Sequence, residues 1–176
     1  MKQLIECVPN FSEGNDLTII KQITDSIESV EGIKLLNVDP GKATNRTVVT
    51  FVGEPAAVVE AAFKGIAKAS ELIDMSKHKG EHPRMGATDV CPFIPVANIS
   101  MQETVEWSKK LAARVGNELH IPVYLYESAA TRPERTNLEN IRKGQYEGLK
   151  LVLSEGEGTE EYNRRKPDFG PSKLPK

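Results

Sequence analysis

At 176 residues, with 39% apolar and 27% charged residues, the chain has the composition of one soluble globular domain that buries roughly two-thirds of its unfolded surface. A net charge of −2 removes any electrostatic case for nucleic acid or an anionic membrane surface, and no apolar run nears the ~18 residues of a spanning helix. The chain starts on a strand-like pattern without the apolar core of a signal peptide, so a cytoplasmic protein is expected, with Cys7 and Cys91 as reduced thiols in apolar strands and a disulfide as the lesser alternative.

Leu4–Val8 reads as a short buried strand closed by Pro9. Leu17, Ile20, Ile23, Ile27 and Val30 then recur at spacings of three and four, the stripe of an amphipathic helix that Gly32 ends. Ile33–Val38 predicts a second strand, stopped by the Asp39-Pro-Gly turn, and the β-branched run Thr47–Val52 a third. Pro55 suits the first position of a helix to about Ile73. Asp89–Val96 is the fourth strand. This β-α-β-β-α-β order is that of a ferredoxin-like unit. The expected fold is therefore an α/β (α+β) sandwich with helices on one face of a mixed sheet.

Further elements extend that core. Ser100 and Glu103 form a capping box for a third helix, with Val105, Leu111, Val115 and Leu119 facing inward. Val123–Tyr126 reads as another strand, and Thr136 with Glu139 as the cap of a last helix to about Leu153. From Ser154 the character changes: Ser154–Thr159 is Gly- and Glu-rich, Tyr162–Lys166 basic, and the remainder rich in proline. The expected division is a core of residues 1–153 and an irregular tail or linker, 154–176, which read alone would be a disordered end. There is no internal repeat, P-loop or dinucleotide fingerprint.

The densest chemistry lies in the segment HKGEHPRMGATDVCPFIPV, from His78 to Val96. It holds two of the three histidines, and Gly80, Pro83 and Gly86 mark a loop of fixed shape, the kind of element that carries function on a rigid scaffold. His78, Glu81 and His82 also fit H-x-x-E-H, the zinc-binding pattern of some peptidases. That arrangement needs a helix through residues 78–82, which Gly80 and Pro83 oppose. A zinc hydrolase is the outside alternative, and no metal is expected.

The same segment resembles the signature of glutamate formiminotransferase, the folate enzyme of histidine breakdown. ECVPNFSEG (Glu6–Gly14), NRTVVTFVG (Asn45–Gly53), VYLYE (Val123–Glu127), the Asn137–Leu149 stretch and PDFGP (Pro167–Pro171) follow the family pattern in the same order. The likeness covers only the first half of the family's transferase unit. In the family a second subdomain follows, and the folate lies in a charged tunnel between the two.

The resemblance implies transfer of a formimino group from N-formimino-L-glutamate to N5 of tetrahydrofolate, which serves as co-substrate. One proton must leave the attacking nitrogen and one must reach the departing amine, work suited to a group of pKa ~6.5. His82 matches the family's catalytic position and is the expected general base and later acid. His78 is either a supporting partner or a solvated spectator, and His120 is expected to be structural. Asp39 would steady the amidinium donor, although a turn residue bonding its own backbone fits the local sequence as well. Asp89 is the weaker candidate, a strand-start residue capping the loop.

Arg46, just after the Asp39 turn, and Arg84, just after His82, are the expected readers of substrate carboxylates. The resemblance assigns folate contact to Asn163, Arg164, Arg165, Lys166, Pro167, Asp168, Phe169, Gly170, Pro171 and Ser172. It implies completion of the site by a homo-oligomer or by a chain supplying the C-terminal subdomain. A folate-binding or partner module of the same fold without catalysis is the alternative.

Overall fold

The computed structural model describes residues 1–175. Its strands are β1 (Leu4–Cys7), β2 (Asn10–Phe11), β3 (Lys34–Gly41), β4 (Arg46–Gly53), β5 (Thr88–Val90) and β6 (Phe93–Ala97). The helices are α1 (Leu17–Glu28), α2 (Pro55–Leu72), α3 (Met101–Arg114), α4 (Leu138–Arg142), α5 (Gln145–Glu155) and α6 (Glu160–Arg165). None of the described helices is long and apolar enough to cross a membrane.

The strands form one sheet in the order β5-β2-β4-β1-β6, with β3 on the other edge of β4. Two prolines explain the short strands. Proline cannot donate to a ladder, so Pro9 separates β1 from β2 and Pro92 separates β5 from β6, where one expected strand ran unbroken. Both prolines still accept: Val49 N donates to Pro9 O at 3.0 Å and Val8 N to Pro92 O at 3.2 Å.

Every pairing is antiparallel, which corrects the expected mixed sheet. The reason is topological. α1 leads from β2 to β3 and α2 from β4 to β5, and in each case another strand lies between the two that the helix joins. Strands of like direction therefore never touch. β3 also runs through Asp39, Pro40 and Gly41, so Asp39 lies within a strand; Pro40 is tolerated because β3 is an edge.

Alternation along the strands sorts their side chains. Ile5, Cys7, Val49 and Phe51 are buried beneath Ile23 and Ile27 of α1 and Val58, Ala62 and Ala69 of α2. Asp16 caps α1, accepting from the backbone of Thr18 and Ile19, and the stripe Ile20, Ile23, Ile27 is buried, whereas Leu17 in the first turn is exposed. The Ser100–Glu103 capping box opens α3 as the sequence indicates. Cys7 and Cys91 are free thiols with sulfurs 3.6 Å apart.

The opposite face of the sheet carries Glu6, Val52 and Ile94 in one row. No helix covers it. Ile94 and Val96 are 41% and 52% exposed, and Leu36, extruded at the β3 bulge, 51%.

Beyond α3 the expected elements change form. Val123–Tyr126 is not a strand: it makes one bridge, Val123 to Phe169, and the next ladder position is filled by a side chain, Leu125 N donating to Asp168 Oδ2 at 2.8 Å. The expected long last helix is two helices. Asn137, not Thr136, caps the first, and Gly144, with φ of 81°, separates them. The stretch expected to be irregular holds α6, capped by Thr159; only residue 176 of it lies outside the described residues.

Candidate functional site

Three loops stack at one end of the sheet. Lys42–Asn45 at the tip of the β3–β4 hairpin lies between the loop after β2 and the His78–Ala87 segment. Glycine permits both contacts. A Cβ on Gly14 would sit 2.2 Å from Gly41 O, and one on Gly80 would sit 2.3 Å from Thr44 O. Gly80→Ala is therefore expected to push the loop off the hairpin at a cost of about 1–3 kcal/mol. A urea midpoint equal to that of the parent protein would refute this close approach.

Asn45 ties the three loops together. Its backbone is left-handed, with φ of 49°, a conformation asparagine tolerates. Its Oδ1 accepts from Gly14 N at 2.9 Å and its Nδ2 donates to Lys79 O at 2.9 Å. Ser12 closes the other side, its hydroxyl donating to Gly86 O at 2.7 Å and its N–H to Ala87 O at 2.8 Å.

His78 is buried and both its nitrogens are engaged. Nε2 lies 2.9 Å from Asn45 O, which can only accept, and Nδ1 accepts from Arg84 Nε at 2.9 Å. The ring serves as a strut between the hairpin and Arg84, not as a solvated spectator. Residues 78–82 are not helical, so the zinc-peptidase geometry is absent on both counts.

Arg84, expected to read a substrate carboxylate, is engaged within the protein. It is 6% exposed. Its guanidinium makes a bidentate pair with Glu147, at 2.9 and 2.7 Å, and also reaches Gln145 Oε1 and His78 O. The break at Gly144 enables this, because it places Gln145 and Glu147 against Arg84 and lets Tyr146 N donate to Arg84 O at 3.0 Å.

Hydrogen bonds from Arg84 bring the Glu147 carboxyl down to about 2 from an ordinary 4.5. With the folded value below the unfolded one, the pair stabilises the protein above pH 4.5, and that gain fades as pH falls toward 2. The Glu147 side chain is 64% exposed, so solvent and salt screen much of it. The stability gap between the parent protein and Glu147→Gln is expected to narrow on acidification; a gap independent of pH would refute the pairing.

His82 stands differently. Its side chain is 18% exposed. Arg46 NH1 lies 3.2 Å from Nδ1 and 3.1 Å from Nε2, and Asp89 Oδ2 lies 3.8 Å from Nε2. Burial, and then the Arg46 charge, hold its pKa below the ordinary 6.5, with Asp89 pulling the other way. Burial and the Arg46 charge thus favour the neutral ring, which stays partly exposed.

Asp39 is exposed on β3, opposite Val48, and Gly41 is opposite Arg46. With alternation along β4, Asp39 and Arg46 are diagonal neighbours on the uncovered face. Among the described residues Asp39 has no side-chain bond, and Arg46 contacts only His82 through its guanidinium. His82 and Arg46 are thus brought together, and Asp39 shares the face of Arg46.

The tail residues divide. Asn163, Arg164 and Lys166 are exposed. Arg165 is buried and donates to Lys143 O and Ile141 O, both at 3.0 Å. Asp168 accepts from Leu125 N, Thr131 Oγ1 and Arg135. Both residues, expected to contact folate, are engaged within the fold. Pro167 and Phe169 are partly buried, Phe169 O accepting from Val123 N; Gly170, Pro171 and Ser172 continue past the bridge. His120 ends α3's extension in a left-handed conformation.

Sequence reasoning missed Asn45, Arg135, Arg142 and Glu147. Only Asn45, in a polar stretch between two strands, left a local signal. A cavity of about 370 Å³ lies on the helix side against Ile66, Met75, Phe93, Leu111 and Tyr126, and His82, Arg46 and Asp39 do not line it. No group of three or more His, Cys, Asp or Glu among the described residues is placed to hold a metal ion.

Residues 4–176 match the family model described as the formiminotransferase domain, N-terminal subdomain. The chain is 53% identical over 174 residues to the formimidoyltransferase-cyclodeaminase of Dictyostelium discoideum, covering 99% of this chain and 31% of that protein. It is 49% identical over 166 residues to the glutamate formimidoyltransferase of Streptococcus pyogenes serotype M1, covering 94% of this chain and 56% of that one. A formiminotransferase cyclodeaminase-like protein of Arabidopsis thaliana is 26% identical over 189 residues, covering 100% and 62%. The chain thus spans about a third to just under two-thirds of the length of these relatives.

Proposed function

Because the chain belongs to the formiminotransferase family, as its N-terminal subdomain, we propose that it supplies the His82-bearing half of a site that moves a formimino group from N-formimino-L-glutamate to N5 of tetrahydrofolate. The observation that carries this reading is His82, a neutral, accessible imidazole on a loop that three sets of backbone contacts hold still. N5 attacks the amidine carbon, and His82 removes the proton from N5. The tetrahedral intermediate then collapses, and His82 returns that proton to the departing glutamate amine. A single base of low pKa suits both steps, since its conjugate acid gives the proton up readily.

Asp39 faces the amidinium and Arg46 binds a substrate carboxylate, two opposite charges held as diagonal neighbours on this face. Arg164, Lys166 and Asn163, with Phe169, form the folate-contacting part of the tail. Single changes Arg164→Ala and Lys166→Ala are expected to weaken tetrahydrofolate binding several-fold, since each removes one exposed charge, while leaving thermal stability unchanged. Titration of tetrahydrofolate followed by fluorescence checks both.

A second subdomain, from another chain or an oligomeric partner, would cover the sheet face that exposes Leu36, Ile94 and Val96 and exclude water from the transfer. Counting β1–β2 and β5–β6 each as one interrupted strand supports reading the fold as a ferredoxin-like sandwich. The setting is the cytoplasm, in histidine breakdown and one-carbon metabolism.

The test is formation of 5-formiminotetrahydrofolate by this chain alone and with the C-terminal remainder of the Streptococcus pyogenes relative. Turnover in either supports the reading. Tetrahydrofolate binding without turnover in both would leave a folate-binding module, and neither binding nor turnover would overturn it.

A further inference from the structure

We propose that Asp89 is the positioning residue for His82, a buried carboxylate that takes the ring over when it gains a proton and releases it when the proton leaves. The proposal rests on the reading of His82 as the base. Arg46 NH1 is almost equidistant from the two ring nitrogens, so it points squarely at neither. An Arg N–H can donate only to a neutral imidazole; a protonated ring has two donors and no acceptor. Protonation therefore turns the Arg46 contact from attraction to repulsion, and the ring needs another partner.

Asp89 Oδ2 waits 3.8 Å from Nε2, just beyond hydrogen-bond reach, and a small ring rotation closes the gap. The carboxylate is fixed beforehand. Its side chain is 1% exposed, Oδ1 accepts from Met85 N at 2.8 Å, and Oδ2 accepts from Arg142. An acceptor held this way needs no reorganisation when charge arrives. Arg142 also tempers the pull of Asp89, so the imidazolium stays acidic enough to pass its proton on. Arg46 from β4, Asp89 from β5 and Arg142 from α4 are the charged groups that face the ring. The nearby Tyr126 phenol is kept protonated by burial.

The experiment is an NMR titration of the His82 ring in this chain, in Asp89→Asn and in Arg142→Gln. Loss of the carboxylate is expected to move the His82 midpoint down, and loss of the arginine to move it up, each by roughly one pH unit. General loosening of the loop would move both toward the free-histidine value. Midpoints that stay put, or that move together, would overturn the proposal whatever happens to turnover.

In the transfer assay Asp89→Asn is expected to lose roughly tenfold or more in kcat with KM for the donor unchanged, and its acid limb should follow the NMR midpoint. Opposed NMR shifts in a chain that transfers no formimino group would support the positioning of His82 and overturn only the reaction assigned to it.

Discussion

His82→Ala is expected to lower formimino transfer by roughly 10²–10⁴-fold, the range that a positioned acid–base group contributes, while thermal stability stays close to that of the parent protein. The asymmetry follows from the contacts. His82 makes no bond to the backbone among the described residues; it touches the side chains of Arg46 and Asp89. Removing it leaves Arg46 free on an open face and Asp89 still held by Arg142 and Met85. His78→Ala should behave in the opposite way, because Asn45 O and Arg84 Nε both lose their partner inside the loop. It is expected to melt earlier and to lose activity only as far as the loop moves.

The pH profile adds a second signature. As the proposed base His82 would work in its neutral form, and its pKa is held below the ordinary 6.5. On the acid side kcat/KM should therefore rise and reach its plateau before neutrality. The measurement is the initial rate across pH for the parent protein and His82→Ala, in whichever form turns over. A variant within tenfold of the parent, or a limb above the ordinary histidine range, would remove His82 from the chemistry.

What was legible in the sequence was local. The Ile20–Ile23–Ile27 stripe, the Pro55 helix start and the Ser100–Glu103 box each involve neighbours within one or two turns, and each appears as read. The loop at His78–Ala87 was recognisable because Gly80, Pro83 and Gly86 constrain backbone within a few residues. What was not legible was long-range and polar. Arg84 finds Glu147, which lies 63 residues away, and nothing in its neighbourhood distinguishes that fate from a substrate contact. Pairing between strands was mistaken for the same reason: direction in a sheet depends on which strand intervenes, and periodicity along one strand carries no such information. The division of the tail followed charge, and charge does not say whether an arginine points out, as Arg164 does, or is buried against backbone carbonyls like Arg165.

That division sets up the largest expected effect on stability. Asp168→Ala should destabilise the protein by about 3–5 kcal/mol, the cost of leaving a buried charge without its partner. Arg135 is that charge: its side chain is 4% exposed, and its NH1 donates to Asp168 Oδ2 at 3.0 Å. Its NH2 reaches Lys166 O at 2.5 Å and Arg164 O at 3.0 Å, and its guanidinium lies 5.0 Å from the centre of the Tyr124 ring. The same carboxylate accepts from Leu125 N and Thr131 Oγ1, so one substitution unties the tail, the Val123 bridge and the turn before α4 together. With a domain stability of about 5–15 kcal/mol, such a loss leaves little margin. Urea unfolding of Asp168→Ala, compared with Arg164→Ala, tests the assignment. If Asp168→Ala kept its unfolding midpoint and lost only tetrahydrofolate affinity, Asp168 would be a ligand contact after all. If it unfolds early while Arg164→Ala does not, one buried ion pair holds the tail to the domain and Arg164 is left free of that structural duty.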